Sequence, residues 1–205
     1  QRRNLDELMP FVVQTLRTTL NADACALIMS SEDPEWLEFW ATDGWKEDPI
    51  SAGRRIPNNE DSGPGWVLKY RHPLVIDDLM DKNLTTWAPA WLRREGFRGH
   101  AVVPLLAEET PVGTLVLNNR QARSIDEAEL RFLQLMANQA AIAIEKARLH
   151  EQERQRQRLE DELAVARSIQ LQLLPANMPQ VDGWEFAAAY QAARQVGGDF
   201  YDVFL

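Results

Sequence analysis

Apolar residues recur at alternating intervals of three and four from Ser124 to Leu174, in a stretch that contains neither glycine nor proline. Ser124 and Glu127 match a capping box, in which a hydroxyl and a carboxylate satisfy the first free amides of a helix. Pro175 should end the helix, because it lacks an N–H and disfavours helical geometry in the preceding residue. At 1.5 Å per residue such a helix would reach roughly 75 Å, so we expect it to join two parts of the protein.

The apolar positions of this stretch form two blocks separated by a polar interval, His150 to Arg158. The first block has a second apolar side, Leu135, Ile142 and Leu149, so one side can pack on a sheet while the other meets a partner helix. The second block resumes in a shifted heptad phase, where paired helices can part, rotate or slip. We predict a dimeric coiled coil; the alternative is a solvated helix that links two domains without carrying a signal. The predicted seam is Leu130, Leu133, Ala137, Ala140, Ile144 and Ala147, then Leu159, Leu163 and Ala166.

The preceding part of the chain predicts a helix followed by an antiparallel sheet with insertions, an α+β fold. Helical spacing of apolar residues indicates an amphipathic first helix, in which Pro10 marks a kink or a late start. Gly63-Pro64-Gly65 should open a short helix, whereas residues 43–59 read as irregular and 80–96 fit either a helix or a loop. The predicted first helix is Asn4–Leu20, and the predicted strands are Ala24–Met29, Trp36–Ala41, Leu74–Leu79, His100–Leu106 and Val112–Asn118.

Composition and charge narrow the classes of function. The 205 residues suit one domain with extensions or two small domains, and a net charge of −9 without a basic patch argues against nucleic acid. No apolar run approaches the roughly 20 residues of a membrane span. The single cysteine, Cys25, excludes an internal disulfide and suits a reducing compartment, so we expect a cytoplasmic protein. Both ends of the sequence suggest a piece of a longer chain.

Three blocks of the sequence resemble the GAF domain family when they are taken in this order and spacing. They read GPGWVLKYRHPLVIDDL, GFRGHAVVPLLAEETPVGTLVLNNR and SIDEAELRFLQLMANQAAIAIEKARL. The resemblance covers most of Leu5 to Leu149 and implies a central antiparallel sheet with helices behind it. It also implies a small-molecule pocket on the other face, roofed by residues 57–65 and 80–96. The Asn-Lys-x-Phe-Asp-Glu pattern of many cyclic-nucleotide-binding members is absent, and the fold alone does not name a ligand.

Aromatic residues concentrate in this domain and give the best signal for its pocket. Trp87 and Trp91 fall where the roof is expected, and we assign them to the pocket together with Trp40 and His100. Flat aromatic walls suit an apolar or aromatic ligand, or a cation over a ring face. The alternative is that these rings fill the core and that His100 is a framework residue. Cys25, on a predicted strand, reads as a small buried hydrophobe rather than an attachment site for a bilin.

The residues from Leu159 onward, LEDELAVARSIQLQLLPANMPQVDGWEFAAAYQAARQVGGDFYDVFL, resemble the beginning of RsbU/SpoIIE-type serine phosphatase domains. These belong to the metal-dependent, protein phosphatase 2C-like (PPM) superfamily. The resemblance implies that Asp199 bridges Mn²⁺ or Mg²⁺, with Asp202 a weaker candidate. The alternative for Asp202 is a solvent-facing or turn carboxylate. The family's later aspartates have no counterpart here, so we expect this chain alone to be inactive. Its two apolar runs, cut off from the rest of their sheet, should be disordered, docked on the helix or paired across a dimer.

These interpretations divide the chain into a GAF sensor domain (residues 1–149, last helix from about 125), a coiled-coil signalling linker (150–175) and a truncated phosphatase start (176–205). We expect a homodimer in which a small molecule at the GAF domain regulates the phosphatase of a longer parent. The family resemblance implies a phosphorylated STAS-type protein, an anti-anti-sigma factor, as the parent's substrate. The alternative is a GAF domain that binds nothing and only dimerises the parent. No nucleic acid or membrane partner is expected.

Overall fold

A computed structural model describes residues 2–81, 89–175 and 177–203. Its contacts divide the chain into two compact units, Gln1–Arg148 and Leu149–Leu205. The first unit contains an antiparallel sheet with the strand order β3-β2-β1-β6-β5-β4. The elements are α1 (Arg2–Thr19), β1 (Ala24–Ser30), β2 (Trp36–Asp43), β3 (Arg55–Pro57), α2 (Gly63–Tyr70), β4 (Leu74–Ile76), α3 (Ala90–Glu95), β5 (Gly99–Ala107), β6 (Thr110–Asn119) and α4 (Glu127–Gln172).

These elements confirm the α+β architecture and most of the predicted segments. Strand β3 was not predicted, because three residues at a sheet edge carry too little alternation to stand out from the surrounding loop. The run after Pro73 pairs only over Leu74–Ile76, and the acidic residues that follow it leave the sheet. Among residues 80–96, the described part forms the short helix α3.

Helices α1 and α4 cover one face of the sheet, which we call the helix face. Side chains alternate along a strand, so Cys25 and Leu27 of β1 point to this face and Ala26 and Ile28 point to the other. Fully burying a leucine-sized side chain stabilises a fold by about 1.5–3 kcal/mol, so this layer contributes much of the unit's stability. The helix residues buried against it are Met9, Val13 and Leu16 of α1 and Leu133, Ala137, Ala140, Ala141 and Ile144 of α4.

The first block of the predicted coiled-coil seam therefore packs on the sheet. Leu133, Ala137, Ala140 and Ile144 are all buried in the helix-face core, and Leu130 packs half-buried against it. Their assignment to a partner helix was wrong, because spacing of three and four serves a sheet as well as a second helix. Ala147, one turn further on, is half-buried. The second apolar side is the one left open: Leu135, Ile142 and Leu149 are 55%, 53% and 54% exposed.

Helix α4 begins with a capping box different from the predicted one. The Asp126 side chain accepts a hydrogen bond from the Glu129 amide (2.8 Å), and the Glu129 carboxylate accepts one from the Asp126 amide (3.3 Å). Ser124 and Glu127 do not form the predicted box. Arg123 accounts for the difference, because it pairs with Glu129 and also donates to the carbonyl of Leu20 (2.7 Å), which fixes Glu129 at the helix start. The helix ends before Pro175, as predicted.

The second unit consists of the end of α4 and a segment that forms no named strand within residues 177–203. Gln170 holds this segment by exchanging hydrogen bonds with Gly197, Nε2 to the carbonyl (2.7 Å) and the amide to Oε1 (3.0 Å). These contacts support docking on the helix, one of the three expected arrangements, and pairing across a dimer stays a prediction. In the second seam block Leu159 and Ala166 are exposed and Leu163 is half-buried. No helix in the described part of the chain has the length and apolar character needed to cross a membrane.

The capping box gives a first test. We expect Asp126→Ala to lower the free energy of unfolding by about 1 kcal/mol, because the first turn of α4 loses a side-chain acceptor. Ser124→Ala is the matched control and should have almost no effect, since Ser124 is exposed and outside the observed cap. Urea unfolding of both variants measures the difference; a larger loss in Ser124→Ala than in Asp126→Ala would show that the cap is at Ser124.

Candidate ligand-binding cavity

A cavity of about 630 Å³ lies on the sheet face opposite α1 and α4. This volume is within the range of sites that hold small organic molecules. Both segments expected to form the roof contribute, the first through Gly63 and Pro64 and the second through Met80 and Leu92. The apolar lining consists of Ile28, Phe39, Trp45, Ile56, Pro64, Ile76, Leu79, Met80, Leu92, Phe97 and Val116.

An uncharged polar pair interrupts this apolar lining. His100 of β5 and Asn118 of β6 are direct cross-strand partners, and both line the cavity. His100 Nδ1 lies 2.6 Å from Asn118 Oδ1. An amide oxygen can only accept, so this contact places the imidazole proton on Nδ1 and leaves Nε2 as an acceptor.

The environment keeps His100 neutral. Burial lowers the pKa of the imidazole below its ordinary value, and the hydrogen bond to Asn118 opposes that shift only in part. The charged side chains that line the described cavity are Arg93 and Arg98, with no carboxylate among them. Arg98 is paired with Asp78, to which its Nε donates at 3.0 Å. The lining therefore favours an uncharged aromatic or apolar ligand over the cation that the aromatic residues alone left open.

An aromatic cluster forms one wall of the cavity. Trp45 contacts Phe39 and Phe97 edge to face, with ring centroids 5.5 and 5.1 Å apart. The indole N–H of Trp45 donates to the carbonyl of Cys25 at 3.1 Å, so this hydrogen bond and the two ring contacts fix the orientation of the indole. Trp91 packs behind this wall, with its ring centroid 6.2 Å from that of Phe39 and 6.4 Å from that of Trp45. A wall held this way presents a rigid apolar surface to a ligand.

A buried ion pair fixes α3 at the side of the cavity. Glu95 is 3% exposed and accepts hydrogen bonds from the backbone amides of Lys46 (3.0 Å) and Glu47 (3.1 Å). Arg120 Nη2 lies 3.2 Å from Glu95 Oε2 and also donates to the Gly44 carbonyl (3.1 Å). The pair thus connects the loop after β2, helix α3 and the end of β6. This connection holds Trp45 and Phe97 in place, since each lies one or two residues from a member of the network.

The four predicted pocket residues have different positions in the structure. His100 lines the cavity, and Trp91 supports its wall without lining it. Trp40 packs against the helix-face core, because Phe39 faces the cavity and neighbouring side chains on a strand point to opposite faces. Trp87 lies outside the described residues.

Several residues of the site were missed from the sequence. Asn118 was assigned to a strand but not to the site, although its place opposite His100 depends only on the register of the β5–β6 hairpin. Trp45 and Phe97 fell in segments read as irregular or ambiguous. In such segments the alternation of side chains along a strand cannot predict which face of the sheet a residue occupies. Glu95 carried no signal, since one acid in a charged helix is ordinarily solvent-exposed.

The residues proposed to bind a metal do not form a site in this chain. Asp199 and Asp202 are exposed, and residues 2–81, 89–175 and 177–203 contain no cluster of three or more metal-ligating side chains. Cys25 is fully buried in β1, and burial, with the charge of Asp43, raises the pKa of its thiol far above the ordinary value. It is a neutral core residue, as predicted, and not a nucleophile.

Comparison with known proteins agrees with this geometry. A family model described as "GAF domain" matches residues 2–145, more than half of the chain. The chain belongs to the GAF domain family. The GAF domain of a phosphoenolpyruvate-protein phosphotransferase from Coxiella burnetii superposes with a TM-score of 0.64 and 23% identity, covering 72% of this chain and 86% of that one. The GAF domain of the Acinetobacter phosphoenolpyruvate-protein phosphotransferase gives a TM-score of 0.60 at 18% identity, covering 70% and 84%.

At these identities the structural matches establish the GAF fold alone. A sequence match extends to the protein IcfG of Synechocystis, which is 46% identical over 44 residues. Those residues make up 22% of this chain, and the chain spans only 7% of the length of IcfG. The GAF fold accounts for the sheet, the cavity on one face and the helices on the other.

The buried ion pair gives a second test. We expect Glu95→Gln to lower the free energy of unfolding by about 2 kcal/mol, because the single amide oxygen cannot replace both carboxylate oxygens at the two backbone amides and the charge facing Arg120 Nη2 is lost. Glu109→Gln, at an exposed turn position, is the control and should change stability little. Chemical unfolding measures both; a Glu95→Gln protein as stable as the control would show that the ion pair does not hold α3.

The neutral state of His100 gives a third test. Its folded pKa is lowered, so below about pH 6.5 the unfolded chain binds a proton that the folded chain excludes. The free energy of unfolding should therefore fall as the pH decreases from 6.5 towards the folded pKa, and His100 should contribute no pH dependence above about pH 7.5.

His100→Phe should remove this component, while His72→Phe, at an exposed position, should keep it. Urea unfolding at several pH values between 7.5 and 5 separates the two. Parallel curves for wild type and His100→Phe would mean that the imidazole is not desolvated in the folded protein.

Proposed function

We propose that this chain is the sensory part of a longer signalling protein, in which a small molecule bound in the GAF cavity changes the pairing of two long helices. The observation that carries this proposal is the cavity of about 630 Å³ on the same sheet that α4 covers from the other side. A GAF domain that served only as a dimerisation scaffold would have no need for such a space, and its rings would fill it. The cavity therefore favours sensing over scaffolding.

The sheet supplies the physical connection between the cavity and α4. Ile28 and Val116 line the cavity, while their neighbours Leu27 and Leu117 lie in the helix-face core. A shift of β1 or β6 around a ligand thus moves the surface on which α4 packs. Gln134 of α4 also donates to the carbonyl of Pro104 in β5 at 2.9 Å, which ties the helix to the strand. A ligand drives such a change only if it binds the two arrangements with different affinity.

The partner helix is proposed to pack on the open side of α4. Leu135, Ile142 and Leu149 recur every seventh residue and are each more than half exposed. This is the spacing of one coiled-coil position, so a second copy of the chain would cover all three at once. On α1, Leu8 (41%) and Phe11 (63%) are exposed as well. In the later part of α4, Leu159 would continue the interface.

The output is proposed to be a PPM-type phosphatase domain of the parent protein. Ala166 to Pro175 and Val196 to Asp202 carry the motifs that resemble the start of such domains. In the complete domain Asp199 would supply one ligand to Mn²⁺ or Mg²⁺, which prefer carboxylate oxygens. The proposed substrate is a phosphorylated STAS-type protein, and the proposed setting is the cytoplasm. The described residues of this chain alone would not hydrolyse phosphate.

A cavity-filling variant tests the coupling. Val116→Trp places a large ring in the cavity from β6, and Glu109→Trp places the same ring at an exposed turn as the control. Spin labels at Arg158→Cys report the distance between the two copies of α4 by double electron–electron resonance, because native Cys25 is buried. We expect Val116→Trp to shift the distance distribution and Glu109→Trp to leave it at the wild-type value.

Two results would contradict the proposal. Light scattering that shows single chains at the labelling concentration would remove the helix pair. Identical distance distributions in wild type, Val116→Trp and Glu109→Trp dimers would show that the cavity and α4 are not coupled, and would favour the scaffold.

A further inference from the structure

The cavity contains two polar atoms that no residue of the described chain satisfies. The hydrogen bond between His100 Nδ1 and Asn118 Oδ1 is the one that the structure gives to either side chain. It leaves His100 Nε2 and Asn118 Nδ2 without a protein partner. Neither atom is among the unpaired polar atoms that are fully buried, so both are accessible from the cavity that their side chains line. Polar atoms in an apolar site cost free energy unless a ligand or water pairs with them.

The two atoms have opposite hydrogen-bonding roles. Nδ1 carries the imidazole proton, so Nε2 accepts, and Oδ1 of Asn118 is occupied, so its Nδ2 donates. The pair thus presents one acceptor and one donor to the cavity from adjacent strands. A molecule that satisfies both needs a donor and an acceptor of its own, and a lactam or a cis-amide carries the two on one edge.

Gly63 keeps the acceptor accessible. A Cβ at this position would stand 2.8 Å from His100 Nε2 and 3.4 Å from Leu74 Cδ2. Any side chain there would cover Nε2 or displace the imidazole, whereas glycine leaves it open at the start of α2. The first residue of α2 is therefore suited to a ligand that approaches Nε2.

The remaining lining sets the shape and charge of the ligand. Phe39, Trp45 and Phe97 form a rigid aromatic wall, which favours a flat ring system. No carboxylate lines the described cavity to hold a cation, Arg98 is already neutralised by Asp78, and Arg93 also has a partner. An uncharged ligand matches a neutral histidine in an apolar site better than an ion does.

We propose that the cavity selects an uncharged, planar aromatic lactam or cyclic amide, whose N–H donates to His100 Nε2 and whose carbonyl accepts from Asn118 Nδ2. This inference rests on the proposed sensing function and names the ligand class of that same site. His100 and Asn118 are its specificity-determining residues, and the aromatic wall supplies the apolar contact.

Three matched probes test the proposal on the full 205-residue chain. They are 2-quinolinone, N-methyl-2-quinolinone, which lacks only the donor, and quinoline, which lacks both the donor and the carbonyl. Titrations at pH 7.5 are followed by NMR of the His100 imidazole and the Trp45 indole. We expect 2-quinolinone to bind about tenfold or more tightly than either relative, because a site built around a donor–acceptor pair rejects analogues that leave its groups unpaired.

The double variant His100→Phe/Asn118→Leu removes both polar side chains and so leaves no unpaired polar group. It should bring the three affinities within about threefold of one another. His72→Phe, at an exposed position, should retain the wild-type preference.

Each other outcome overturns the inference in a distinguishable way. Equal binding of all three probes to the wild-type protein would refute the lactam class while leaving a ligand-binding cavity, and hence sensing, intact. No perturbation of His100 or Trp45 by any probe would refute the class as well, and would also remove the support that the cavity gives to sensing. A preference that persists in the double variant would place the selecting groups elsewhere.

Discussion

Strands β1 and β6 are buried on both faces, and this double burial is the constraint from which the rest of the domain follows. Cys25, Leu27 and Leu117 must be covered on one side of the sheet, and Ile28 and Val116 on the other. Strands exposed on either face would leave apolar surface in water at a cost of about 25 cal/mol per Å². Two helices cover the first face completely. The second is covered by short segments that do not close over it, and the space left between them is the cavity.

The helices and the cavity lie on opposite faces of one sheet. The polar pair in the cavity and helix α4 are therefore separated only by the thickness of that sheet. His100 and Asn118 face the cavity, while their neighbours Ala101 and Leu117 belong to the helix-face core. The sheet is close-packed, so any displacement of these strands would reach both of its faces.

Local patterns predicted helices α1, α2 and α4, the longer strands and one cavity residue, His100. They could not predict features that depend on strand register or on contacts between residues distant in the sequence. A β-bulge at Val112 shifts the β5–β6 pairing by one residue, and without it His100 would lie opposite Leu117 instead of Asn118. Which of two overlapping capping boxes forms is decided by Arg123, a tertiary contact. Spacing in α4 could not tell a sheet-facing stripe from a helix-facing one, because both bury every third or fourth residue.

Native-state hydrogen exchange of the free protein can show whether the sheet and the first half of α4 form one cooperative layer. Amides of β1, β5 and β6 and those near Ala137 and Ile144 should exchange most slowly, through the same global opening. They should then share one denaturant dependence. If the amides around Ala137 exchanged by a separate opening of lower free energy while the central strands stayed protected, α4 would not be seated on the sheet as a unit and could not report on the cavity beyond it.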